Sequence, residues 1–175
     1  MKLLILFISL FINFSANATG YNVFGLGIYD IKFDGSDTNQ ATDFRYERRF
    51  DKSIFEIGPE SYNFFNLKPF AGVEITSDSA SYIIGGVYLE DNIGDLFQGK
   101  PSNYFFTPSF GAGYYEDGDG KKLGHNIEFR TTFELSYQLK NKNRIGISFG
   151  HISNASLGDK NPGVEILNIS YQIAY

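Results

Sequence analysis

Apolar and polar residues alternate along most of this chain with a period of two. From Ile127 to Leu139, one parity holds Ile127, Phe129, Thr131, Phe133, Leu135, Tyr137 and Leu139. The other holds Glu128, Arg130, Thr132, Glu134, Ser136 and Gln138. Successive side chains of a β-strand point to opposite faces, so this pattern predicts a strand with one greasy face and one polar face. Tyr104, Phe106, Phe110, Ala112 and Tyr114 oppose Thr107, Ser109, Gly111 and Gly113 in the same way, and Leu167, Ile169, Tyr171, Ile173 and Tyr175 oppose Asn168, Ser170, Gln172 and Ala174. Eight strands are predicted, at 21–33, 42–52, 66–77, 80–91, 102–115, 125–139, 143–154 and 164–175. In the first, the apolar parity shifts between Ile28 and Tyr29, which predicts a β-bulge.

The N-terminus sets the compartment. Met1-Lys2 is a short positive start, Leu3 to Phe14 is almost wholly apolar, and Ala16-Asn17-Ala18 is a small-residue cleavage site. Residues 1–18 are therefore predicted to be a secretory signal peptide, the apolar run being shorter than the roughly 20 residues of a membrane helix. Residues 19–175 make one domain. The chain has no cysteine, so disulfides play no part in its stability. A net charge of −5 without a basic stripe argues against a nucleic-acid partner. Aromatics are abundant, with 18 Phe and 12 Tyr.

An exported chain of alternating, aromatic-rich segments is predicted to be an all-β protein: an eight-stranded, antiparallel, up-and-down transmembrane β-barrel of the bacterial outer membrane. Hydrocarbon offers backbone amides no partner, so the sheet must close on itself. Eight strands enclose a space that side chains fill, and no pore is expected. The charges on the polar face of 127–139 are expected to pair in that lumen. The short turn Lys140–Asn143 is placed in the periplasm, and the longer segments 116–124 and 155–163 outside. Asp51 to Phe65 is too long for a periplasmic turn, so the second strand is expected to run further than its alternation shows. Asp117-Gly118-Asp119-Gly120 resembles part of a calcium loop but lacks the other ligands, and reads as a solvated turn. No metal or cofactor is expected.

The alternation also carries candidate chemistry. Ile145, Ile147 and Phe149 share a parity that continues into His151 and Ser153, and the greasy parity of the last strand continues upward into Glu165. Charged groups on a lipid-facing wall destabilise a barrel, so three polar groups at one level need a reason. Residues i and i+2 lie roughly 6.5–7 Å apart on one face, near enough for a hydroxyl and an imidazole to lean together. An antiparallel neighbour brings a carboxylate to the ring's far side, giving a nucleophile, a general base and an orienting group. If the parity broke near Gly150, these residues would belong to a hydrated loop instead. His125, at a loop edge, reads as solvated.

His151-Ile-Ser153-Asn154-Ala155, followed by Asn161-Pro162-Gly163-Val-Glu165, resembles the signature of the PagL-type lipid A 3-O-deacylases, including the fourteen-residue spacing from histidine to glutamate. Thr107 to Tyr115, Leu123-Gly124 and Glu128-Phe129-Arg130 are similar to further segments of that family. The resemblance implies hydrolysis of the ester-linked 3-position acyl chain of lipid A, with outer-membrane lipopolysaccharide as the partner. It also implies a monomeric catalytic unit, Ser153 as nucleophile, His151 as base and Glu165 as orienter. Asn161 would hold the oxyanion and Asn154 would support the site. The family's acidic residue for the acyl hydroxyl has no clear counterpart, Thr131 standing nearest. Two other readings share the same pattern: a phospholipase using the same nucleophile, and a non-enzymatic barrel in which the three residues stand apart.

Overall fold

The computed structural model describes residues 20–32, 40–56 and 66–175. The expected signal peptide, the end of the expected first strand at residue 33 and much of the 51–65 segment lie outside the described residues. The elements run β1 (Gly20–Tyr29), β2 (Ala41–Phe50), β3 (Phe55–Glu56), β4 (Asn66–Thr76), β5 (Ser81–Tyr88), β6 (Asp91–Asn92), α1 (Ile93–Gln98), β7 (Tyr104–Glu116), β8 (Ile127–Gln138), β9 (Arg144–Ser153) and β10 (Val164–Ala174).

Eight of these strands form the wall, each antiparallel to its neighbours, in the order β2-β1-β10-β9-β8-β7-β5-β4, and a β2–β4 pairing closes the ring. Closure leaves the wall no free sheet edge, the condition that hydrocarbon imposes on a spanning sheet. The first described residue and the last meet at one rim, where Gly20 and Tyr175 exchange backbone hydrogen bonds. In outer-membrane barrels that rim is periplasmic.

The two parities of each strand have become an inside and an outside. Phe24, Leu26, Phe44, Ile83, Phe110, Phe133, Ile147 and Ile169 are exposed on the outer wall, while Arg45, Glu47, Arg49, Glu74, Arg130 and Glu134 are buried in the lumen. The expected charge pairing is present and continuous. Arg49 donates to both carboxylate oxygens of Glu134 at 2.7 and 3.1 Å and to Glu47 at 3.1 Å. Arg130 bridges Glu74, at 2.6 Å, and Glu47. Arg45 donates to Ser148 at 3.0 Å, and Gln172 to Glu134 at 2.7 Å. Bidentate and shared contacts of this kind compensate charges withdrawn from water. Near the periplasmic rim, tyrosines turn their hydroxyls toward polar turns: Tyr21 donates to the Lys142 carbonyl at 3.3 Å, and Tyr171 accepts from Asn143 at 2.8 Å. This is the amphipathic belt of a membrane barrel.

Three expectations need correction. The parity shift at Ile28/Tyr29 is not a bulge, because β1 pairs with β2 in unbroken register from Gly20↔Phe50 to Tyr29↔Ala41. Tyr29 is an apolar residue facing inward, where its hydroxyl meets that of Tyr115 at 2.8 Å. The second strand does not run on past its alternation; β2 stops at Phe50, and β3 is a separate short strand paired with Asn66 and Leu67 of β4. The rule of short inner and long outer connections also fails in places. The outer β4–β5 link is a tight turn through Ser79 at φ 62°, and the inner β5–β7 link holds β6 and α1. Asn92 caps α1, accepting from Gly94 N–H at 3.0 Å. No described helix is long and apolar enough to cross a membrane.

Candidate active site

The outer ends of β9 and β10 keep their register but exchange their polarities. On β9, lumen-facing Arg144 and Ser148 are followed, at the same parity, by Ile152, which is wholly buried, and on β10 buried Gln172, Ser170 and Asn168 give way to Ile166 and Val164. Tyr29, Tyr82, Tyr115 and Leu123 join these side chains in an apolar plug beneath the outer rim. On the outer surface the change runs the other way. Ile145, Ile147 and Phe149 are succeeded by His151 and Ser153, and Ile169 and Leu167 by Glu165. The parity therefore does not break at Gly150, and the hydrated-loop alternative is removed. The three residues stand on the outer wall, in the lipid-facing parity, over a rigid apolar base.

His151 and Glu165 are register partners across β9 and β10, with Ile166↔Gly150 and Val164↔Ile152 on either side. The ring Nδ1 lies 3.2 Å from Glu165 Oε1, and the two side chains are 48% and 36% exposed, so the pair is open on one side only. Glu165 is further fixed by its carbonyl, which accepts from Ile31 N–H at 3.0 Å. With Nδ1 engaged, the proton-accepting nitrogen left to the neutral ring is Nε2. Ser153 lies two residues along the same face from His151 and pairs with Phe129 of β8, while Thr131 of β8 pairs with His151. Among the described residues Ser153 makes no hydrogen bond to the ring; nucleophile–base contacts are often looser before substrate arrives. Below the three, Phe149, Phe133 and Leu167 continue the outer wall toward the membrane midplane.

The loop between β9 and β10 is organised from Asn154, which is fully buried. Its Nδ2 donates to the carbonyls of Leu123 at 2.9 Å and Lys160 at 2.8 Å, and its Oδ1 accepts from Ser156 N–H at 2.9 Å. Its own N–H donates to Asn161 Oδ1 at 3.0 Å. That bond occupies the Asn161 amide oxygen and leaves Nδ2 as the donor of that amide. His125, exposed as expected, accepts from Ile127 N–H at 2.9 Å and caps the start of β8. Asp117–Gly120 closes a turn through Gly120 N–H donating to the Asp117 carbonyl at 2.9 Å. No described group of three or more His, Cys, Asp or Glu side chains is placed to hold a metal ion.

Comparison with known proteins decides the family. Residues 65–174, well over half of the chain, match the family described as Lipid A 3-O-deacylase (PagL). The chain belongs to that family. A curated relative, the lipid A deacylase PagL of Bordetella bronchiseptica, is 35% identical over 51 residues, a stretch covering 29% of each chain. The matched stretch thus spans less than a third of that relative's length. The crystal structure of the outer membrane enzyme PagL superposes with a TM-score of 0.64 at 17% identity, covering 87% of this chain and 98% of that one. A de novo designed transmembrane β-barrel gives a TM-score of 0.51 at 12% identity, over 89% of this chain and 94% of the design. At these identities the superpositions speak for the fold alone. Family and fold together make this an outer-membrane β-barrel of the PagL class.

One neighbour of the imidazole was not legible from pattern: Gly163 lies against the ring of His151. Glycine has no side chain to count in an alternation.

Proposed function

We propose that this protein is a serine esterase that removes the ester-linked acyl chain at the 3-position of lipid A, working in the outer leaflet as a monomer without metal or cofactor. The observation carrying this reading is the His151–Glu165 pair on the lipid-facing wall, two residues from Ser153 on the same face, where the polarity of β9 and β10 is reversed. A site facing sideways into a leaflet receives a substrate whose acyl chain never leaves hydrocarbon. Phe149, Phe133 and Leu167 offer that chain an apolar track below the ester.

In the reaction, Ser153 Oγ attacks the ester carbonyl and passes its proton to His151 Nε2. Glu165 holds the ring in the Nδ1–H tautomer and stabilises the imidazolium that forms. The carbonyl oxygen becomes an oxyanion, which the Asn161 Nδ2 donor meets; such a donor lowers a barrier by roughly 3–4 kcal/mol. Collapse breaks the ester bond, and His151 returns the proton to the departing sugar hydroxyl. Water then attacks the acyl-serine, again losing its proton to His151, and releases the fatty acid.

The test is mass spectrometry of lipids after purified, refolded protein is incubated with lipopolysaccharide. Native protein is expected to release one fatty acid per lipid A, and Ser153→Ala none, while both keep the heat-modifiable gel mobility of a folded barrel. Full activity in folded Ser153→Ala would end the assignment. Fatty acid released from glycerophospholipid, with lipid A left intact, would replace it with the phospholipase reading.

A further inference from the structure

We infer that Gly163 is a positioning residue that reserves the space through which His151 reaches Ser153, an inference that rests on the triad reading above. The register places it there. The β9–β10 ladder pairs Glu165 with His151 and ends at Val164 and Ile152, so Gly163 and Ser153 are the residues immediately beyond its last pair. A Cβ built on Gly163 would stand 2.8 Å from His151 Cε1, 3.3 Å from His151 Nε2 and 3.3 Å from the Ile152 carbonyl oxygen. The first distance is shorter than carbon atoms tolerate. The second brings the methyl group close to Nε2 as well, the nitrogen that must accept the serine proton once Nδ1 is held by Glu165. A methyl group here would both rotate the ring away from Glu165 and stand beside its basic nitrogen.

Gly163 also has φ +60°, in the left-handed region that L side chains rarely adopt. Backbone strain and ring contact therefore have to be separated. Gly118 supplies the control. It has φ +56°, and an added Cβ would meet the backbone of Ser79 at 2.4 Å, on a hairpin turn formed by other strands. Both glycine-to-alanine changes strain a turn, but only one touches the imidazole. Gly163→Asn is a second variant, because asparagine enters the left-handed region more readily than alanine while still carrying the Cβ.

The experiment reads the His151 ring by two-dimensional nitrogen–proton NMR of micelle-bound, ¹⁵N-histidine-labelled protein. The His125→Gln background leaves His151 as the single histidine of the two in the chain. The native protein is expected to show the Nδ1–H tautomer pattern. Gly163→Ala and Gly163→Asn are expected to lose it toward that of free imidazole, and kcat on lipopolysaccharide to fall about 100-fold with KM within twofold, the scale of an ångström-sized misplacement. Gly118→Ala is expected to keep both the native ring pattern and native kcat. A native ring pattern in folded Gly163→Ala or Gly163→Asn would overturn the inference, as would an equal loss of kcat in Gly118→Ala. A shifted ring pattern in the Gly163 variants, beside a fully active Ser153→Ala protein, would uphold the positioning and remove the triad instead.

Discussion

The contribution of Glu165 can be bounded from its surroundings. Glu165→Ala removes one hydrogen bond, from His151 Nδ1 to Oε1 at 3.2 Å. Hydrogen bonds to charged groups contribute about 1.5–3 kcal/mol. In water, a pair 48% and 36% exposed would fall at the weak end of that range. In a membrane, the open side of this pair is covered by substrate and lipid, which screen charge far less than water does. The stronger end then applies, about 3 kcal/mol, which is roughly 150-fold in kcat. KM should change little, because the carboxylate acts through the ring and not on the lipid. Glu165→Gln keeps an acceptor without the charge and is expected to lose only about tenfold, half the charged bond's contribution. The assay is the initial rate of fatty acid release from lipopolysaccharide in proteoliposomes, quantified by mass spectrometry across substrate densities. Fold stability should be unaffected, since the Glu165 carbonyl still accepts from Ile31. A Glu165→Ala protein retaining kcat within threefold of native would refute the triad's third member. A large loss in KM with kcat intact would mean that Glu165 binds substrate instead.

Two further predictions concern the wall that carries the site. Glu134→Ala removes the bidentate partner of Arg49 and the acceptor of Gln172 from a place with no solvent access. Glu47 stays 3.1 Å from Arg49 and compensates in part, so the loss should sit near the low end of the ~3–5 kcal/mol for breaking a buried pair. Urea titration of the folded fraction in vesicles reads it, and a loss below about 0.5 kcal/mol would show the network to be redundant. Ile147→Lys puts a charge on the lipid face where Ile147 pairs with Ile169 and Leu135, and should destabilise the barrel by about 2–4 kcal/mol by the same titration. Unchanged stability there would mean that this face is not in lipid.

Much of the fold could be read in advance because a closed barrel writes its geometry directly into a period of two. The eight wall strands fall within a few residues of the alternating segments, and the last three, β8, β9 and β10, were legible almost to the residue. The misread strands come from places where inside and outside stop meaning polar and apolar, and the misread connections from loops whose length no alternation records. Tyr29 faces inward as part of the apolar plug, and this mimicked a bulge. Segments 51–56 and 89–103 lie outside the wall, where alternation carries no information, so β3 and α1 were invisible to it. The candidate residues His151, Ser153 and Glu165 stood out because their parity continued while their chemistry changed. Gly163 was not, since its role is an absence of atoms that only the position of the imidazole reveals.

The reversed rim argues for function more strongly than the three polar residues alone. Had His151, Ser153 and Glu165 merely marked the point where the wall leaves the membrane, nothing would require the lumen side to turn apolar at the same height. Yet on these two strands Ile152, Val164 and Ile166 are buried there to 3% exposure or less, where Ser148, Ser170 and Gln172 face the lumen further down. Side chains packed this closely behind β9 and β10 resist small displacements, as a dense interior does. Backing the strand ends with that plug holds the Cα positions of residues 151, 153 and 165 against the lateral push of lipid chains. The Asn154 bonds to Leu123 and Lys160 extend the same support into the loop that carries Asn161. Stiffening from behind is what a site needs when its front face is open to a fluid and its reacting atoms must meet within a few tenths of an ångström. A structural barrel has no use for it at one edge of one hairpin, and that asymmetry favours the catalytic reading over a passive one.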